Sequence, residues 1–101
     1  MKKVINGKTY DTTTATLIGS TSYGCPGDLD YWAEQLFRKR TGEFFLHGVG
    51  GPASRYSRKT GQNQWSGGAA IRPLSLTDAQ DWAERYLDAA DYDRVFGCAA
   101  E

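Results

Sequence analysis

The chain has 101 residues, of which 40% are hydrophobic and 13% aromatic; that length holds one domain with a modest core and is too short for two. The composition excludes a disordered tail, and no apolar run approaches the roughly 18 residues needed to cross a bilayer. The formal net charge is zero, so no overall polyelectrolyte character dictates the partner.

The charge is nevertheless divided. Residues 1–72 carry ten Lys or Arg against five acids, and residues 73–101 carry two Arg against seven acids. A basic body with an anionic end is the result. Met1-Lys2-Lys3 is basic, but Asn6-Gly7-Lys8 interrupts the apolar core that a secretion signal requires, so a cytoplasmic protein is expected. Cys25 and Cys98 are distant in sequence and neither belongs to a C-x-x-C pair. They read as free thiols, with no zinc or redox motif. Cys98-Ala99-Ala100-Glu101 has the outline of a prenylation box, with the wrong last residue and no polybasic stretch before it.

In chain order, Val4-Ile5-Asn6-Gly7-Lys8-Thr9-Tyr10 predicts a hairpin, because Asn-Gly accepts the two positive φ angles of a type I′ turn. The threonines at 12–14, followed by Ala15-Thr16-Leu17-Ile18, favour a further extended segment, with Asp11 able to cap a single turn before it. Tyr23-Gly24-Cys25-Pro26-Gly27 is turn chemistry.

Asp28 then fits an N-cap. Leu29, Trp32, Ala33, Leu36 and Phe37 recur at helical spacing, Arg38-Lys39-Arg40 complements a helix C-terminus, and Gly42 supplies a stop. This pattern predicts a first amphipathic helix. Residues 43–49 and 54–59 read as strands, 60–63 as a turn, and 69–73 as a further strand. The glycines at 48, 50, 51, 67 and 68 mark bulges or close backbone approaches.

Thr77-Asp78-Ala79-Gln80 reads as a capping box opening a second helix. Its apolar stripe is Ala79, Trp82, Ala83, Tyr86, Leu87 and Ala90, and residues 91–96 add a short terminal helical turn. The two helices share a Trp-Ala-Glu core 50 residues apart. Their flanks do not align, so convergence on one sheet accounts for it better than duplication.

Several sites compete. Gly48-Val49-Gly50-Gly51-Pro52-Ala53 satisfies the G-x-G-x-x-A pattern of a dinucleotide turn. That turn must open a helix facing the pyrophosphate, and residues 54–59 are neither long nor apolar enough to be one. No cofactor is therefore expected. His47 is the single histidine, and with no positioned nucleophile nearby it reads as a packed or half-exposed strand residue. One His and scattered thiols make a poor metal set. No catalytic, cofactor-binding or metal-ligating residue is assigned, and a non-enzymatic protein is expected.

Two surfaces remain. Asp78, Asp81, Glu84, Asp88 and Asp91 project from the polar half of the second helix, a row that can compete for a groove that normally holds phosphates. Arg55, Tyr56, Arg58, Lys59 and Trp65 interleave base and aromatic, a combination that binds single-stranded nucleic acid by stacking and phosphate contact. Ordinary solubilising charge explains the first, and protection of an edge strand explains the second.

The segments "INGKTYDTTTA", "GEFFLHGVGGPASRY", "SGGAAIRPLS" and "LTDAQDWAERYL" resemble those of short accessory proteins carried by bacterial prophages and integrative elements. The resemblance covers most of the chain, but its motifs are structural, so no catalytic residue is carried over. It implies a small protein of a mobile element that binds and blocks a host defence component, anti-CRISPR proteins being one such type.

These readings combine into one expectation. Residues 1–97 form a single α+β domain, with 98–101 a short tail. An antiparallel sheet of four to five strands carries two amphipathic helices on one face, in the order β-β-α-β-β-β-α. The function expected is binding and inhibition of a host protein, such as a nucleic-acid-binding immunity effector. The alternative is a nucleic-acid-binding accessory protein using the basic and aromatic strand.

Overall fold

A computed structural model describes residues 1–97; the expected tail at 98–101, with Cys98, lies outside the described residues. The chain is α+β. A four-stranded antiparallel sheet of order β3-β4-β5-β8 is formed by β3 (Thr16–Tyr23), β4 (Trp32–Arg38), β5 (Phe44–Gly50) and β8 (Gly68–Leu74). Two ribbons stand beside it, β1 (Lys2–Ile5) with β2 (Lys8–Asp11), and β6 (Arg58–Gly61) with β7 (Gln64–Ser66). Helices α1 (Leu76–Tyr86) and α2 (Ala89–Phe96) follow in sequence and cover one face of the sheet.

The first hairpin forms as its sequence requires, with Asn6 at φ 51° and Gly7 at φ 76°. The threonine run is a turn before it becomes a strand: the Asp11 carboxylate accepts from the Thr13 N–H (2.9 Å) and hydroxyl (2.7 Å), and β3 starts at Thr16.

The main correction concerns residues 28–40, which form no helix. Trp32–Arg38 is a central strand paired on both sides, to β3 and to β5. The same residues that recur at helical spacing also fill a two-faced strand. Trp32, Glu34 and Leu36 point to the helix side, while Ala33, Gln35 and Phe37 point to the other. Two flanking antiparallel partners supply backbone hydrogen bonds on both edges of such a strand, and tertiary pairing overrides the weak local preference. Asp28 instead closes a turn, accepting from the Cys25 N–H at 3.0 Å. Gly42 (φ 92°) closes the β4–β5 connection, where Lys39 and Glu43 backbones bond at 2.8 Å.

The helical region is relocated accordingly. Ser75, not Thr77, is the N-cap of α1, its hydroxyl accepting from the Asp78 N–H at 3.1 Å. The expected continuous stripe through Ala90 breaks at Leu87, whose backbone is extended (φ −101°, ψ 154°). Asp88 then caps α2 by accepting from the Asp91 N–H at 2.8 Å.

The core has two parts, one per face. On the helix side Leu36, Phe44 and Leu46 pack against Ala79 and Trp82, with Ile18, Leu87 and Phe96 around them. On the opposite face Phe37, Phe45 and Ile71 pack beneath Tyr10 of the first hairpin. Each fully buried apolar side chain contributes on the order of 1.5–3 kcal/mol. The hairpin is also pinned at its edge, where Lys8 and Lys39 reach the Glu43 carboxylate at 3.0 and 3.4 Å. Among the described residues nothing covers the rest of this second face, which forms an open groove lined by Ser20, Ser22, Ala33, Gln35, His47 and Val49.

Gly48 shows how tightly the helix side is filled. A Cβ placed there would lie 1.9 Å from the Tyr56 ring, whereas one at Gly19 would meet the side-chain tip of Leu87, at 2.4 Å, which can turn aside more easily than a ring. Gly48→Ala is therefore expected to cost at least about 2 kcal/mol and Gly19→Ala about 1 kcal/mol or less, read from thermal or urea unfolding. Equal costs would show that the Tyr56 ring does not lie over the strand.

Candidate functional site

The polar centre of the molecule is Glu34, on the central strand β4 and 1% exposed. Its Oε1 accepts from the Trp82 indole N–H of α1 at 3.1 Å. Its Oε2 accepts from the Tyr56 hydroxyl and faces the Arg55 guanidinium at 3.6 Å. A buried carboxylate requires such partners, because desolvation without them costs several kcal/mol. Arg55 in turn lies over the Trp32 ring, 5.6 Å from its centroid. Burial first, and then the bond to Glu34, raise the Tyr56 hydroxyl well above its ordinary titration range.

The loop that delivers Tyr56 is the segment expected as a strand at 54–59. Residues 51–57 instead form turns. Gly51 N–H bonds Tyr31 O and Ala53 N–H bonds Leu29 O, both at 2.7 Å. The Ser54 hydroxyl accepts from the Tyr56 N–H at 3.1 Å. The glycines of the dinucleotide-like pattern serve this packing. Gly48 makes room for the Tyr56 ring, Gly50 for Ser54, and Gly51 for the carbonyls of Asp28 and Leu29.

The basic and aromatic set is thus split by the structure. Tyr56 is buried and bound to Glu34, so it is no part of a contact surface. Arg55 is half committed to the same network. Arg58, Lys59 and Trp65 come together on the β6–β7 hairpin, with Lys59 directly opposite Trp65 and the indole 56% exposed. This hairpin pairs with no other strand. It also sits within a stretch, residues 44–77, that contains no Asp or Glu.

The acidic row is split as well. Asp78, Asp81 and Glu84 remain on α1, whereas Asp88 and Asp91 belong to the start of α2. Asp88 spends its carboxylate on the cap, and Asp91 is bound to Arg94 at 3.2 Å. Asp78 and Asp81 line a groove of about 260 Å³ whose other charged walls are Arg55, Arg72 and Arg85, with Glu34 at its base. Opposite charges across that groove cancel much of the field the row was expected to project.

His47 sits half buried on β5, its Nδ1 3.3 Å from Gln35 Oε1. Burial pushes its pKa below the ordinary histidine value, which favours the neutral ring. Among the described residues, no group of three or more His, Cys, Asp or Glu is placed to hold a metal ion. No helix of the described chain is long and apolar enough to cross a membrane.

Glu34 is the residue that sequence reasoning missed: it lies within the segment read as the first helix and received no role there. Its signal was an acid at alternate spacing between Trp32 and Leu36. The two Trp-Ala-Glu tripeptides take unlike structures: Glu34 is buried in a strand, while Glu84 is exposed on a helix. No family model, no curated protein and no solved structure matches this chain.

The Glu34 network yields two checks. Tyr56→Phe leaves a carboxylate oxygen short of its donor and is expected to cost about 2–4 kcal/mol in equilibrium unfolding. The folded protein holds the Tyr56 proton more tightly than the unfolded chain does. Its stabilisation is therefore complete below about pH 10 and lost as pH rises through the higher folded value. The alkaline fall in Tm is accordingly expected to be shallower in Tyr56→Phe than in the native protein.

Proposed function

We propose that the chain is a non-enzymatic protein-binding module of a mobile genetic element that inhibits a host defence protein, such as a CRISPR effector. The observation that carries this reading is the β6–β7 hairpin. It holds Trp65 more than half exposed directly opposite Lys59, with Arg58 on the other face of the ribbon, and it is paired with no other strand. Tryptophan and arginine are the side chains that most often anchor protein interfaces, and an indole kept out of the core is available to fill a partner's pocket. The resemblance to prophage accessory proteins supplies the biological class. The exposed carboxylates of α1, Asp78, Asp81 and Glu84, supply a secondary surface for a basic, nucleic-acid-binding partner.

The test is capture of purified host immunity effectors by the immobilised protein, with a phage-protection assay in parallel. Trp65→Ala is expected to weaken capture by roughly 30-fold, the effect of losing one interfacial anchor, while Tm stays unchanged. Failure to capture any effector, together with no protection of phage, would sink the proposal.

A second reading is favoured by the acid-free stretch at 44–77. There the same hairpin binds single-stranded nucleic acid, with Trp65 stacking on a base and Arg58 and Lys59 contacting phosphates. Gel shifts at two salt concentrations separate the readings, because phosphate contacts make affinity fall steeply with salt.

A further inference from the structure

We propose that β3 is a self-pairing edge, and that two copies of this chain join antiparallel through it to form one continuous eight-stranded sheet. The inference starts from how each free edge is protected. A sheet edge presents unpaired N–H and C=O groups, and soluble proteins blunt such edges with charge, proline or shortness. Nearly every free edge here is blunted. Strand β1 carries Lys2 and Lys3, β2 carries Lys8 and Asp11, and β6 carries Arg58 and Lys59. Strand β7 has three residues, and β8, the opposite edge of the main sheet, carries Arg72 and Pro73.

Strand β3 has none of these devices. It is eight residues long and reads TLIGSTSY, and no charged side chain occurs anywhere in residues 12–27. A bulge between Leu17 and Gly19 blunts only its first part, and residues 19–23 pair regularly beyond it. Leu17 and Tyr23, at its two ends, are 50% and 54% exposed.

These features suit a second copy rather than an unrelated strand. A two-fold axis near Ser20, normal to the sheet, runs the two strands antiparallel and keeps the helices of both copies on one face; Leu17, across from Phe37, and Tyr23, across from Trp32, lie on opposite faces. Pairing of identical strands brings identical side chains near the axis, and an uncharged strand does so without like-charge repulsion. The other copy is also present wherever the chain is. An edge contact of this size falls in the class of small interfaces, so the dimer is expected to be concentration-dependent. The proposal is independent of the partner read for the β6–β7 hairpin.

Sedimentation velocity and light scattering from micromolar to near-millimolar concentration test it. The native 11.2 kDa chain is expected to move toward twice its monomer mass. Ser20→Lys, at an exposed position, is expected to stay monomeric or dimerise at least tenfold more weakly, with an unchanged circular dichroism spectrum. Ser22→Lys, also exposed, serves as the second variant if the first disturbs folding. Ala69→Lys on the opposite edge is expected to leave association as it is. A native protein monomeric across the whole range would overturn the proposal. So would folded edge variants as dimeric as the native chain, or loss of the dimer in Ala69→Lys alone.

Discussion

A carboxylate in the middle of a sheet imposes more on its surroundings than any apolar residue there would. Glu34 is held by Trp82 from the first helix and by Tyr56 and Arg55 from the loop after β5. Tyr56 and Trp82 lie 22 and 48 residues away in sequence, so the helix, the loop and the central strand must all be in place before the charge is satisfied. Replacing such a set with well-packed apolar side chains is often neutral for stability, whereas removing one member is expensive. The network therefore does less to raise total stability than to fix one arrangement of three segments.

The glycine-rich stretch follows from that constraint. Tyr56 reaches Glu34 only by lying flat across β5, and it does so over Gly48, where a side chain would occupy the space of its ring. The loop then turns back beneath Asp28 and Leu29, whose carbonyls come within 3 Å of where a Gly51 side chain would begin. A pattern that resembles a phosphate cradle is thus the footprint of one tyrosine and its supporting loop. The chain leaves this loop as the β6–β7 hairpin, which is why the hairpin's base is anchored while its Trp65 is not.

What the sequence disclosed was local. Asn6-Gly7 determined the first hairpin because a type I′ turn tolerates few other pairs. The alternation in Phe44–Val49 and the run 69–73 marked strands β5 and β8, and the capping pattern and apolar period from Thr77 marked α1. The misreading at 28–40 has a physical source. Leu29, Trp32, Ala33, Leu36 and Phe37 satisfy a helical repeat, but a strand buried on both faces also shows apolar residues without strict alternation. Only pairing with β3 and β5 decides between them, and those contacts are not encoded in a window of seven residues. The same limit hid Glu34: an acid beside a tryptophan reads as solvated unless its distant donors are known.

The distribution of chemistry also bears on how the protein acts. Three polar groups of the sheet are engaged in structure: Glu34 with its three partners, Tyr56 with Glu34, and His47 beside Gln35 on an open sheet face. The asymmetry of charge that the sequence announced survives, but in divided form. Asp88 and Asp91 are drawn into the start of α2, and Asp78 and Asp81 look across a groove at arginines. What stays outward and uncommitted is a cationic hairpin with an exposed indole, together with an uncharged strand edge. Both are contact devices, one offering a side chain to fill a pocket and the other a row of backbone hydrogen bonds. The ionisable centre is buried while anchors and edges face outward, and the binding role proposed above rests on that division.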